Sequence, residues 1–126
     1  MTGIGRDDYP VRAMTVHQFG SILSSASTRR LYQIVDVRES SEVEVASIAG
    51  NDMINLPLGC ANEWSQDVKE GKILDKSKPT ICLCKVGVRS MRMATFLSQS
   101  GYEEVYNVEG GINLYSTEID PKIPLY

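Results

Sequence analysis

The sequence predicts an α/β fold with three layers, in which a mostly parallel central sheet carries helices on both faces. Short apolar segments rich in β-branched residues recur along the chain, and segments with helical spacing of apolar residues separate them. Glycine or proline residues mark several of the junctions. Strands that alternate with helices at these lengths are typical of a parallel sheet, because parallel neighbours need a long crossover.

The first predicted helix begins after Thr15, which can cap it, and Gln18 stands at the capping-box position three residues on. Its apolar stripe is Val16, Phe19, Ile22 and Leu23. The next segment, Tyr32 to Val37, is short and mostly apolar, as a strand covered on both faces is. Residues 1–13 are predicted to be a loosely ordered N-terminal segment.

The middle of the chain predicts two helices and one strand. Ser41, with Glu44 three residues later, indicates a short helix that begins there. Met53 to Pro57 is typical of a strand that a proline ends. A second helix closed by a glycine follows from the helical spacing of Ala61, Trp64 and Val68 before Gly71.

The last part of the chain predicts a strand, a loop and a helix in direct succession. Thr80 to Cys84 is the strand, Lys85 to Arg89 the loop, and Ser90 to Ser100 a helix that stops at a glycine. Val105 to Val108 is the final strand, and Ile112 to Ile119 is a short terminal helix. With no repeat or linker between domains, we expect residues 1–126 to form a single domain.

The composition narrows the classes of function. Of 126 residues, 42% are hydrophobic and 23% charged, with a net charge of -3, so no broad cationic surface is available for nucleic acid or anionic lipid. No segment has the length and apolarity of a membrane helix. We therefore expect a soluble protein with small-molecule or protein partners, and no partnership with nucleic acid or membrane.

The three cysteines, Cys60, Cys82 and Cys84, are an odd number, and the last two are too close in sequence for an ordinary disulfide framework. This favours a reducing compartment inside the cell, which is the cytoplasm, or the chloroplast if a transit peptide has been removed. Cys60 and Cys82 are each expected to be a small hydrophobic residue without a redox role.

Cys84 is the candidate nucleophile, because it ends a strand where parallel α/β proteins bind ligands. The loop from Lys85 to Arg89 aims backbone N–H groups and the positive end of the following helix at one point. Such surroundings favour thiolate over thiol, so the sulfur needs no base. We expect this thiolate to face solvent in a narrow ring of amides.

The charged residues near Cys84 favour an anionic substrate. Lys85, Arg89 and Arg92 make a local cationic rim, although Arg92 is more simply an ordinary surface charge. The single histidine, His17, is predicted on the first helix, far along the chain, so a cysteine and histidine pair has little support. No cluster has metal-ligand spacing, and no cofactor is expected.

The segment from Cys84 to Ser90, CKVGVRS, resembles the active-site loop and helix start of the rhodanese superfamily. Ile34 to Glu39 is similar to the family's "DVRE" strand end, Ile54 to Leu58 to its "NIPL" strand, and Gly101 to Gly111 to its "GY..V.NLEGG" segment. The ending from Ile119 to Tyr126 resembles the "VDP..P.Y" of plant and cyanobacterial single-domain members.

Two segments depart from the family pattern. Ala46 to Asn51 stands where "GHIPGA" is usual, and Gly110 to Tyr115 where "GGILAW" is usual. Neither segment is expected to touch the cysteine loop, so the departures bear on packing and on acceptor docking.

The resemblance implies a sulfurtransferase of the thiosulfate sulfurtransferase type. Cys84 would be the catalytic residue and would carry a persulfide, formed from a sulfane donor such as thiosulfate and discharged to cyanide, a thiol or a protein such as thioredoxin. The implied substrate-binding residues are Lys85, Val86, Gly87, Val88 and Arg89. Arg89 is expected to brace the loop, for example through Glu39, and Asp36 to bind loop N–H groups.

Two alternatives remain open. Related phosphatases and arsenate reductases use a loop one residue longer than the six from Cys84 to Arg89, and Cys82 is too far from Arg89 to supply it. A catalytically inactive binding module is the second alternative, although inactive relatives often lack the cysteine that this chain retains.

Overall fold

A computed structural model of the chain describes residues 9–48, 50 and 52–126. Within these residues, five strands form one sheet in the order β1-β5-β4-β2-β3, and each neighbouring pair is parallel. The mixed α/β fold predicted from the sequence is therefore confirmed. The strands are β1 Val11–Met14, β2 Gln33–Asp36, β3 Ile54–Asn55, β4 Thr80–Leu83 and β5 Val105–Val108.

Six α-helices and one 3₁₀ turn, Leu58–Cys60, connect or follow the strands in the part of the chain that the structure describes. The helices are α1 Val16–Leu23, α2 Ala26–Arg29, α3 Ser40–Val45, α4 Ala61–Lys69, α5 Val88–Gln99 and α6 Gly111–Glu118. The predicted capping box of α1 is present: Gln18 N donates to Thr15 Oγ1 at 3.1 Å, and Thr15 N donates to Gln18 Oε1 at 2.9 Å. No helix in the described part of the chain is long and apolar enough to cross a membrane.

Among the described residues, two apolar clusters make up the core, one on each face of the sheet. One contains residues of α4 and α5, and its sheet members include Val35, Cys82 and Val105. The other contains residues of α1 and α6, and its sheet members include Ile34 and Ile81. Since neighbouring residues of a strand point to opposite faces, Cys82 and Cys84 belong to the same cluster, as strand alternation predicts.

The N-terminal edge of the sheet corrects a prediction. Residues 11–13 are expected to be loosely ordered, but they belong to β1, which pairs with β5 from Val11↔Val105 to Met14↔Val108. This strand was not predicted because Met14 is its one buried residue, so its apolar periodicity is weak. Residues 1–8 of the predicted segment, and residues 49 and 51 of the departure at 46–51, lie outside the described residues.

Three helices begin earlier than predicted, one of which is α6, at Gly111 in place of Ile112. Helix α3 begins at Ser40, and its capping box uses Glu39 and Glu42 in place of Ser41 and Glu44. Helix α5 begins at Val88 because Gly87, with φ of 99°, turns the chain into the helix. The last two residues of the predicted loop are therefore the first two residues of α5.

The parallel register brings the ends of β2 and β4 together, since Asp36 pairs with Leu83. The segment after β2 therefore lies beside the segment after β4, which contains Cys84. Asp36 has the structural part expected of it: it accepts hydrogen bonds from Arg38 N at 3.1 Å and Arg38 Nη2 at 2.8 Å. Arg38 is completely buried, so this ion pair fixes the chain as it leaves the sheet.

Candidate functional site

The loop after β4 is held from behind by the start of α6. Ile112 N donates to Cys84 O at 2.9 Å, and Asn113 N donates to Lys85 O at 3.1 Å. Helix α6 can approach this closely only because Gly111 has no side chain: a Cβ there would lie 2.4 Å from Lys85 O. Two carbonyl groups of the loop are therefore bonded to α6, so the expectation that the segment from Gly110 to Tyr115 does not touch the loop is wrong.

The sulfur of Cys84 accepts two backbone hydrogen bonds. Gly87 N lies 3.1 Å from Sγ, and Ser90 N lies 3.3 Å from it. Gly87 is the N-cap of α5 and Ser90 its third residue, where a capping side chain usually accepts. Because a glycine has no such side chain, the Cys84 sulfur takes that place at the positive end of the helix.

Ser90 also contacts the sulfur through its side chain. Its Oγ lies 3.2 Å from Cys84 Sγ and donates to Asn107 Oδ1 at 2.5 Å. Asn107, on β5, in turn donates from Nδ2 to Gly87 O at 3.1 Å. A hydroxyl has one proton, so while it bonds to Asn107 it can only accept from the sulfur, and it must rotate to donate to a thiolate.

The Cys84 residue is 1% exposed, so the expectation of a thiol that faces solvent is wrong. The physical reason is that Sγ serves as the cap of α5, which draws it into the loop and against the core cluster that contains Met93. Cys82 is completely buried beneath it, and that burial raises the pKa of the Cys82 thiol well above its ordinary value. Cys60 is partly exposed.

Arg89 is bound by Glu42 of α3, and the expectation of Glu39 as its partner is wrong. Arg89 Nη1 and Nη2 donate to the two carboxylate oxygens of Glu42 at 2.6 and 2.8 Å. The hydrogen bonds from Arg89 lower the pKa of Glu42 to about 2, and the same pair raises the pKa of Arg89. Glu39 instead caps α3 and accepts from Gly59 N at 3.0 Å.

The other predicted binding residues lie at the surface of the loop. Val86 and Val88 are 52% and 67% exposed, so their side chains point away from the core. Lys85 is half-buried, and its Nζ lies 4.7 Å from the centre of the Tyr126 ring. The loop thus brings the Gly87 amide to the sulfur, whereas the side chains of Lys85, Val86 and Val88 lie on the outer surface of the loop.

Histidine takes no part in this arrangement. His17 is exposed on α1, as predicted, and its Nε2 lies 2.9 Å from Glu118 Oε1. Within residues 9–48, 50 and 52–126, no group of three histidine, cysteine or acidic residues could hold a metal ion. The hydrogen bonds recorded at Cys84 Sγ come from Gly87 and Ser90.

Comparison with known proteins decides the family, since the sequence profile of the rhodanese-like domain matches residues 19–118. The chain belongs to the rhodanese-like domain family. A crystal structure of a rhodanese-related protein from Thermoplasma volcanium superposes on this rhodanese-like domain with a TM-score of 0.67 and 31% identity, covering 91% of this chain and 99% of the other.

Two curated relatives give the family context. The rhodanese-like/PpiC domain-containing protein 12, chloroplastic, of Arabidopsis thaliana is 38% identical over 117 residues, which is 93% of this rhodanese-like domain but only 38% of the relative. The putative sulfurtransferase YtwF of Bacillus subtilis is 33% identical over 90 residues, covering 71% of this chain and 78% of the relative.

Four residues that the structure brings to this site were not assigned a role from the sequence: Ser90, Asn107, Glu42 and Tyr126. The motifs that resemble the family contain Ser90, Asn107 and Tyr126, but a motif does not show what its residues contact. Glu42 had no motif signal. Its position follows from the true start of α3, which the sequence places one residue late.

Proposed function

We propose that this rhodanese-like domain is a sulfurtransferase in which Cys84 carries a sulfane sulfur as a persulfide. The observation that supports it most is the pair of backbone amides, from Gly87 and Ser90, that donate to Cys84 Sγ at the start of α5. Amides and a helix N-terminus stabilise an anionic sulfur without a neighbouring base. This is the condition that a sulfur nucleophile and a persulfide both need.

The first half-reaction makes the persulfide. The Cys84 thiolate attacks the outer sulfur of thiosulfate, a new S–S bond forms, the S–S bond of thiosulfate breaks, and sulfite leaves with the electron pair. The product is Cys84–S–S⁻, so one negative charge stays in the loop. The amides that bind Sγ in the resting protein are suited to stabilise this outer sulfur, as an oxyanion hole stabilises oxygen.

The second half-reaction returns the thiolate. Cyanide, or the thiolate of an acceptor, attacks the outer sulfur; the persulfide bond breaks, and its electrons return to Cys84. Thiocyanate or a new persulfide leaves. Because the donor product leaves before the acceptor reacts, the kinetics should be ping-pong.

The low exposure of Cys84 makes access a requirement of this proposal. A donor must displace the side chains around the loop before its outer sulfur reaches Sγ. Iodoacetamide should therefore modify Cys84 in the native protein faster than global unfolding allows. Modification at only the unfolding rate, measured by unfolding in denaturant, would exclude the resting site as a sulfur-transfer centre.

The decisive assay supplies thiosulfate and cyanide and measures thiocyanate, beside a parallel assay with para-nitrophenyl phosphate. The six-residue loop and the two amides already bound to sulfur favour sulfur transfer over phosphate hydrolysis. Thiocyanate production that Cys84→Ser abolishes is the expected result. Phosphatase activity, or neither activity, would favour one of the two alternatives.

We further propose a thiol acceptor and a reducing compartment, the cytoplasm or the chloroplast. Cys60, Cys82 and Cys84 are free thiols, and one relative is named as chloroplastic. Reduced thioredoxin is a suitable probe of the acceptor: it should discharge the persulfide and release hydrogen sulfide. Fluorescence microscopy of the tagged gene product in its own organism tests the compartment, and export from the cell would contradict it.

A further inference from the structure

Tyr126 lies against the candidate site although it is distant from the loop in sequence. Its hydroxyl donates to Glu42 Oε2 at 2.9 Å and accepts from Arg38 Nη1 at 3.1 Å. Its ring faces Lys85, whose Nζ lies 4.7 Å from the ring centre. Three segments, those after β2, β4 and α6, therefore meet at this one side chain.

The hydroxyl of Tyr126 has a fixed direction. Arg38 can only donate, and it is held in place by its buried ion pair with Asp36. Glu42 binds Arg89 through both oxygens, so it is ionised and can only accept. The single hydroxyl proton of Tyr126 therefore points to Glu42. A hydrogen bond to a charged acceptor is among the stronger ones, so it helps to fix the carboxylate that fixes Arg89.

The ring of Tyr126 contacts Lys85, which is the cation at the start of the loop. Lys85 follows Cys84 directly, and its long side chain loses rotamer freedom when its ammonium is held at one place. An aromatic face within about 6 Å of an ammonium attracts it and offsets that loss. The charge of Lys85 is retained in such a contact, so it remains available to an approaching anion.

We propose that Tyr126 is a positioning residue that gives the Cys84 site its preference for anionic reagents. The ring holds Lys85 at the start of the loop, and the hydroxyl holds Arg89, through Glu42, at its end. The claim that the site selects an anionic sulfur donor rests on the proposed function. The preference of the Cys84 thiolate for an anionic over a neutral alkylating reagent does not.

The test compares alkylation of Cys84 by iodoacetate, which is anionic, with alkylation by iodoacetamide, which is neutral and of similar size. The measured quantity is the ratio of the two rate constants, read by mass spectrometry in a Cys60→Ser background. Taking a ratio cancels changes in thiolate fraction and in loop opening that affect both reagents equally. It also needs no sulfur transfer, so failure of the thiocyanate assay leaves this test intact.

Tyr126→Leu and Tyr126→Gln both remove the ring and the hydroxyl, and we expect each to lower the ratio roughly threefold, on the scale of one exposed cation–π contact. Tyr126→Phe keeps the ring and should lower it less. In a Lys85→Met background, Tyr126→Leu should change the ratio less than it does beside Lys85. Having two ring-free variants keeps the comparison independent of the folding of either one.

Two results would overturn the proposal. One is an unchanged ratio in folded Tyr126→Leu or Tyr126→Gln protein. The other is the same decrease in the presence and absence of Lys85, which would mean that the Tyr126 ring does not position the Lys85 ammonium. If sulfur transfer is found, the same variants should raise KM for thiosulfate more than they lower kcat.

Discussion

Ser90 Oγ lies 3.2 Å from Cys84 Sγ while it donates its only proton to Asn107. This relationship gives the sulfur two different partners in one residue, because the Ser90 backbone amide also donates to it. When the sulfur is ionised, rotation of the hydroxyl adds a third donor. The site can therefore respond to charge on the sulfur by turning one O–H bond.

The first prediction concerns that hydroxyl. Ser90→Ala should slow alkylation of Cys84 by iodoacetamide about tenfold at neutral pH, because the thiolate loses a hydrogen bond of the charge-assisted class. Ser98→Ala is the matched control: Ser98 is also a buried serine of α5, but its hydroxyl donates to Thr95 O. Equal rates for Ser90→Ala and the wild type would show that the hydroxyl does not act on the thiolate.

The second prediction concerns the ion pair between Glu42 and Arg89. Hydrogen bonds from Arg89 lower the pKa of Glu42 from 4.5 to about 2 in the folded protein. A depressed pKa stabilises the fold above the unfolded value, and this stabilisation is lost as pH falls from about 4.5 towards 2. Glu42→Gln lacks this titration, so its thermal midpoint should fall less steeply over that range than that of the wild type.

Glu44→Gln controls for charge on the same helix, since Glu44 is exposed on α3. It should follow the wild-type curve between pH 4.5 and 2. Parallel curves for Glu42→Gln and the wild type would mean that the ion pair with Arg89 is not formed in solution.

The third prediction concerns the contact between α6 and the loop. Gly111→Ala should destabilise the fold by several kcal/mol, more than the ~1–3 kcal/mol of a strained backbone alone, because the new Cβ would lie 2.4 Å from Lys85 O. Gly71→Ala separates the two effects: its φ of +77° is also positive, but the nearest atom to its Cβ is a flexible lysine carbon at 3.6 Å. Urea denaturation of both variants measures the difference.

Gly111→Ala should also slow alkylation of Cys84 by iodoacetamide or abolish the preference for iodoacetate over iodoacetamide, because the clash moves the carbonyls of Cys84 and Lys85. Similar stability losses in the two glycine variants would contradict the close approach of α6 to the loop.

The fold was largely predictable because its core strands are strongly apolar. Ile81, Cys82 and Leu83 form a continuous apolar run, and β4 of the structure contains all three. By contrast, β1 has one buried residue and exists because the free edge of β5 is available for pairing, which is a long-range cause that local pattern does not carry.

The arrangement of amides around the Cys84 sulfur was predictable from the sequence, whereas the partner of Arg89 and the burial of Cys84 were not. The order of strand, loop and helix was enough to place amides and a helix start around Cys84. The partner of Arg89 was not predictable, because it depends on where α3 begins after β2. Glu39 is the N-cap of α3, and Glu42, which completes the capping box, also binds Arg89. The burial of Cys84 was missed because it depends on how the loop packs against the core cluster around Met93, which the local sequence does not show.

The most direct test of the central claim is the intact mass of the protein before and after incubation with thiosulfate. The wild type should gain the mass of about one sulfur atom, which cyanide should then remove, and both changes should be absent in Cys84→Ser but present in Cys60→Ser. A wild-type mass that stays unchanged, or a sulfur that remains in Cys84→Ser, would contradict a persulfide on Cys84.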